Sequence, residues 1–135
     1  MKVLAVDYGS RRTGLAVGDT LTRVSTPLPL LASGNSRAVV AEILKRVGEF
    51  EAELIVVGYP LNMDGTQGPA CAAVDRFVAF LRRRISLPVT LVDEKLSSFA
   101  AEEMGKEFEN DFRKRRKFLD SVAAQVILQD YLSQP

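Results

Sequence analysis

The chain opens on an unbroken apolar run, Val3-Leu4-Ala5-Val6, that stops at Asp7-Tyr8-Gly9. A short run of this kind bounded by turn residues predicts a strand buried on both faces. Gly14-Leu15-Ala16-Val17-Gly18 predicts a second strand, with Ser10 to Thr13 as the turn between them. The stretch from Arg23 to Leu31 holds Pro27 and Pro29. Proline cannot donate to a ladder, so an irregular or edge strand is expected there.

The period then changes. From Ser36, the expected N-cap, apolar residues fall at Val39, Val40, Ile43, Leu44, Val47 and Phe50, which is helical spacing. Leu54-Ile55-Val56-Val57 reads as another buried strand, stopped by Gly58-Tyr59-Pro60. A loop from Leu61 to Gly68 leads to Pro69 in a first-turn position, then to a helix with Val74, Phe77, Val78 and Leu81 on one face. Val89 to Val92 is a fifth strand ending at Asp93-Glu94. Ser97 or Ser98 can cap a short helix through Met104, and Phe118 to Leu132 is a final amphipathic helix. The order β-β-β-α-β-α-β-α-α predicts an α/β fold: a meander, then βαβ crossovers, giving a mixed five-stranded sheet with helices on its faces. With no repeat, low-complexity segment or linker, residues 1–135 are expected to form a single domain.

Composition narrows the chemistry. Hydrophobic residues make up 47% and charged residues 26%, a globular profile. Lys+Arg 18 against Asp+Glu 17 leaves a net charge of +1, so any electrostatic partner must be held by local patches. The chain has no His and a single cysteine, Cys71. This excludes a His general base, a Ser/His/Asp triad, the usual zinc site and an intramolecular disulfide. An enzyme of this composition works with carboxylates, Lys, hydroxyls, one thiol or a bound metal. An unpaired Cys71 suits a reducing compartment, and no apolar run approaches a membrane span, so a cytoplasmic protein without a membrane partner is expected.

In open α/β sheets ligands gather beyond the carboxyl ends of the strands. Asp7 ends the first strand and Asp93-Glu94 the fifth. Taken alone, Asp7 is as well explained by a turn, Glu94 by a solvated strand end, and Asp64-Gly65 by a surface turn. Asp120 heads the stripe Asp120, Ala124, Ile127, Tyr131, whose other members should press on the sheet. A carboxylate there needs a partner: an Arg, a capping role or a shared metal. Three converging carboxylates without His suggest a hard-cation site for Mg²⁺ or Mn²⁺, suited to phosphodiester hydrolysis.

Basic residues flank each candidate ligand. Arg113-Lys114-Arg115-Arg116-Lys117 precedes the Asp120 helix, Arg11-Arg12 follows Asp7, and Lys95 follows Glu94. A charge run is ordinarily a solvated segment, but this placement favours a nucleic-acid backbone passing a metal site. Part of the 113–117 loop is expected to order on binding. Arg82-Arg83-Arg84 is assigned to the helix dipole and solvent, Cys71 to packing and the phenylalanines to the core.

Four segments resemble the YqgF/RuvX family, described as Holliday-junction resolvases and as nucleases maturing pre-16S ribosomal RNA. They are Asp7-Tyr8-Gly9-Ser10-Arg11-Arg12-Thr13-Gly14-Leu15-Ala16, then Gly58-Tyr59-Pro60-Leu61-Asn62-Met63-Asp64-Gly65-Thr66-Gln67-Gly68. Asp93-Glu94-Lys95-Leu96-Ser97-Ser98 and Asp120-Ser121-Val122-Ala123-Ala124-Gln125-Val126-Ile127-Leu128-Gln129 complete the set. The resemblance spans essentially the whole chain. It implies an RNase H-like fold and a metal-dependent endonuclease whose acidic positions are Asp7, Glu94 and Asp120. Lys95 and Ser97-Ser98 stand where the family more often has Arg and Thr, and Tyr59 where Leu is commoner. Asp93 stays open as an alternative or additional ligand.

The resulting expectation is a two-metal nuclease acting on structured RNA, in maturation of the 16S rRNA precursor 5′ end within ribosomal precursor particles. Asp7 would bridge both ions. The alternatives are a resolvase of branched four-way DNA, a nucleic-acid-binding module without catalysis, and a phosphotransfer domain. The last normally pairs two such domains and has no room here. Monomer and homodimer both stay open, a stable dimer favouring the resolvase.

Overall fold

The computed structural model describes residues 1–62, 64–93 and 112–134, with the side chains of 112–121 outside the description. Five strands form one sheet: β1 (Lys2–Tyr8), β2 (Arg12–Asp19), β3 (Ser25–Ala32), β4 (Leu54–Tyr59) and β5 (Val89–Asp93). The order is β3-β2-β1-β4-β5. The meander pairs antiparallel, Ala5 opposite Ala16 and Ala16 opposite Pro27, whereas β4 runs parallel to both β1 and β5. β3 is an edge strand, as its prolines require.

Three helices are described: α1 (Ser36–Phe50), α2 (Pro69–Arg82) and α3 (Phe112–Leu132). The expected short helix through Met104 lies outside the described residues. Alternation along β1 sorts the core into two layers. Leu4 and Val6 pack with Val39, Val40 and Ile43 of α1 and Val74, Phe77 and Leu81 of α2. Val3 and Ala5 face the other way, against Ala124, Ile127, Leu128 and Leu132 of α3. Helices thus cover both faces of a mixed sheet, as the element order predicts.

Several boundaries move. The N-cap of α1 is Asn35, whose Oδ1 accepts from the amides of Arg37 (3.0 Å) and Ala38 (3.4 Å); Ser36 is the first helical residue. β2 begins at Arg12, because Thr13 continues the ladder opposite Tyr8. Its buried hydroxyl meets that of Ser33 at 2.6 Å, so neither polar group is left unpaired in the interior. Gly58 and Tyr59 extend β4 instead of ending it, since Gly58 pairs with Val92 and Tyr59 with Asp93. Finally, α3 starts at Phe112, so the basic run 113–117 lies within the helix and is not a loop ahead of it. Arg and Lys are good helix formers, and nothing in that run breaks a helix.

The arginines after α2 are also more engaged than expected. Arg82 donates to the carbonyl of Val89 (2.7 Å), tying α2 to the start of β5, and Arg84 lies 3.4 Å over the Phe80 ring. Cys71 is a buried packing residue whose thiol donates to the carbonyl of Pro60 at 3.4 Å.

Candidate active site

Asp7 is the penultimate residue of the central strand and is half-buried. By alternation it shares the face of Val3 and Ala5, the face α3 covers. The next strand on that side contributes Gly58, adjacent in register because Val6 pairs with Val57. Gly58 in turn pairs with Val92, which also packs on the α3 side. β1 and β5 are two strand spacings, about 10 Å, apart. At this level the strand between them carries no side chain. A glycine inside an apolar strand marks such a gap, a signal that reading Gly58 as a strand stop missed.

The direction of α3 brings a second candidate to the same edge. The side-chain amide of Gln125 donates to the Ser25 carbonyl (3.3 Å), and that of Gln129 to Arg23 (3.4 Å). Tyr131, Leu132 and Gln134 line a hollow with Thr20 and Arg23. The C-terminal end of α3 therefore lies at the β2–β3 turn, and the helix runs antiparallel to β1. A Cβ on Gly18 would come 3.0 Å from Cδ2 of Leu128, and Gly18 pairs with Val3. Counting from that contact, Val3 to Asp7 spans about 13 Å of strand at ~3.3 Å per residue. Leu128 back to Asp120 spans about 12 Å of helix at ~1.5 Å per residue. The backbone of Asp120 thus reaches the level of Asp7, one helical turn before Ala124, which the sheet buries completely. Among the described residues no three acidic or thiol side chains converge; the side chain of Asp120 and all of Glu94 lie outside them.

Asp93 falls on the face of Val89, which packs with α1 and α2, and is exposed. Alternation therefore sets it opposite Asp7, which argues against a ligand role. Arg11 and Arg12 are exposed at the β1–β2 turn, beside Asp7. That turn is tight: the amide of Gly9 donates to the Arg12 carbonyl at 3.0 Å, and the amide of Ser33 to that of Arg11 at 2.9 Å. Lys95 lies outside the described residues, and Arg113, Lys114, Arg115, Arg116 and Lys117 occupy the first turns of α3, at the Asp7 end of the sheet.

The loop after β4 ends at the same edge. Gly65, at φ 85°, closes a turn in which its amide donates to the Asn62 carbonyl (2.8 Å), and Asp64 accepts from the Thr66 amide (3.0 Å) and hydroxyl (2.6 Å). Asp64 is thus a turn-forming residue, as its Asp-Gly sequence suggests. On the α2 side, the hydroxyl of buried Tyr59 donates to Oδ2 of Asp75 at 3.1 Å. Burial, the hydrogen bond to Asp75 and that residue's charge push the phenol up to about 12. No sequence pattern announces this contact.

Comparison with known proteins bears on the family and the fold. The model of the RuvX family, described as Holliday junction resolvase, matches residues 1–134. A protein of Geobacillus kaustophilus named "Putative pre-16S rRNA nuclease" is 43% identical, the match covering 98% of this chain and 97% of that one. A protein of the same name from Maridesulfovibrio salexigens is 40% identical over 99% of both chains. Among solved structures, T. thermophilus RuvC in complex with a Holliday junction substrate superposes with a TM-score of 0.58 at 15% identity, covering 98% of this chain and 96% of that one. The fowlpox virus Holliday junction resolvase gives 0.53 at 14% identity, covering 97% and 96%. At such identity these likenesses speak to the fold, which is the RNase H-like fold of the resolvases. The full-length family match and the curated relatives go further, and the chain belongs to the RuvX family.

Proposed function

We propose that this chain is a divalent-metal-dependent endonuclease that hydrolyses phosphodiester bonds of structured RNA, in maturation of the 5′ end of the 16S rRNA precursor. Residues 1–135 act as one nuclease domain. The observation that carries the reading is the placement of Asp7: a half-buried carboxylate at the end of the central strand, on the face toward α3, beside a strand that presents glycine. The names of the curated relatives support ribosomal RNA as the substrate.

The donor set fits Mg²⁺ or Mn²⁺. Asp7 offers hard oxygen ligands, and the chain holds no His to favour a softer metal. Asp7, Glu94 and Asp120 are the residues that would hold the metal. When bound, two such ions supply an activated water and charge neutralisation at the leaving oxygen. The protein's own part is positioning: Asp7 sits at the end of β1, Asp120 lies on α3, and Glu94 directly follows β5 in the sequence. Arg11, Arg12, Lys95 and the 113–117 run carry the phosphate backbone past the carboxylates. A cytoplasmic setting, with ribosomal precursor particles as the place of encounter, accompanies this reading.

The family's description as Holliday junction resolvase favours a second substrate, four-way DNA. Labelled pre-16S rRNA and a labelled four-way junction, offered to the same preparation with Mn²⁺ or Mg²⁺, separate the two. Preferred cutting of the RNA is the expected result. Preferred cutting of the junction assigns the second role, and binding of both without cutting with either metal contradicts the nuclease.

A further inference from the structure

α2 grips the carboxyl edge of the sheet from the side opposite Asp7. The Tyr8 ring, which directly follows Asp7, stacks on Phe77 with centroids 4.2 Å apart and planes 10° from parallel. Two residues earlier on the same helix, Asp75 accepts the hydroxyl of Tyr59 at 3.1 Å. Tyr59 pairs across the ladder with Asp93, the residue before Glu94. The first grip therefore acts one residue from Asp7, and the second holds β4, the strand paired beside it. Both tyrosines belong to the layer packed on α1 and α2, so neither competes for the α3 face where Asp7 lies.

Sites of this kind tolerate about 0.5 Å of looseness in their ligands. Strand ends fray unless something holds them, and here β1 and β4 are both held by one rigid helix. A stacked aromatic pair fixes the rotation of β1 at Tyr8, and alternation passes that orientation to Asp7 on the other face. We propose that α2 is a positioning clamp for the metal-binding carboxylate Asp7, with Phe77 and Asp75 as its positioning residues. The proposal rests on reading Asp7 as a metal ligand.

Calorimetric titration of the full chain with Mn²⁺ alone tests it without recourse to activity. Supporting residues around metal ligands change affinity by roughly 10–100-fold. Phe77→Leu, which keeps apolar bulk but loses the stack, is expected to weaken Mn²⁺ binding about tenfold. Tyr8→Phe, which keeps both rings, should bind as wild type does. Asp75→Ala removes the acceptor of the Tyr59 hydroxyl and should weaken binding as well, with thermal unfolding checking that the variant is folded. Unchanged affinity in both Phe77→Leu and Asp75→Ala, with wild type binding Mn²⁺, overturns the clamp and leaves the metal reading standing. Wild type that binds no Mn²⁺ overturns both together.

Discussion

Gly9 passes so close to Arg12 that a Cβ on it would lie 2.5 Å from the Arg12 carbonyl oxygen. That approach closes the turn joining Asp7 to the exposed pair Arg11-Arg12, and it is backbone against backbone, so no side chain can yield. Gly9→Ala is therefore expected to force the turn open, costing about 1–3 kcal/mol by urea denaturation and displacing Asp7 enough to cut cleavage sharply. A variant as stable and active as wild type would show that the turn does not hold the carboxylate.

A second glycine sets the seat of α3. A Cβ on Gly18 would meet the Val24 carbonyl at 2.8 Å as well as Leu128 Cδ2 at 3.0 Å and Leu132 Cδ1 at 3.2 Å. Gly18→Val should push the helix off the meander and destabilise the fold by about 1–3 kcal/mol. Thermal unfolding measures the loss. Because α3 carries Asp120, activity should fall further than stability alone explains.

The basic run predicts salt dependence. Replacing Arg113, Lys114, Arg115, Arg116 and Lys117 by Gln should weaken nucleic-acid binding and flatten the slope of log K against log salt, by roughly 0.7–0.9 for each phosphate no longer neutralised. Fluorescence anisotropy at several salt concentrations reads the slope. An unchanged slope contradicts the assignment of this helix end to the nucleic acid.

Tyr59 gives a pH prediction whose sign follows from its raised value. A free tyrosine ionises near 10, whereas Tyr59 holds its proton to about 12. The folded state therefore keeps a proton that the unfolded chain has lost, and the stability this group contributes is present below pH ~10 and is lost between pH ~10 and ~12. Chemical denaturation across that range should show a decline that Tyr59→Phe reduces. Equal declines in the two proteins would show that burial beside Asp75 does not hold the phenol's proton above its ordinary value.

The strands were legible because the sheet buries both faces, which turns β1 and β4 into apolar runs with sharp polar ends. Their limits were less so. Arg12 and Thr13 look like turn residues, yet pairing with Ala32 and Tyr8 keeps them in β2. The first turns of α3 lack an apolar stripe, so periodicity has nothing to detect there. The grouping of Asp7 with its neighbouring arginines was readable from one strand end, as was the place of Asp120 at the head of an apolar face. The clamp was not, since the Tyr8–Phe77 stack and the Tyr59–Asp75 bond depend on how α2 is rotated about its axis. Nor was the placement of Asp93 on the face opposite Asp7, which needs the register of β5 rather than the identity of its last residue.

The central claim is that Asp7 is a metal-binding carboxylate of a nuclease. Cleavage of labelled pre-16S rRNA by wild type and by Asp7→Asn, each with Mn²⁺ and with chelator, tests it most directly. The account predicts metal-dependent cutting by wild type and a loss of at least about a hundredfold in Asp7→Asn, with the variant folded and still binding RNA. Equal cutting by the two proteins would reduce Asp7 to a turn residue and contradict the site.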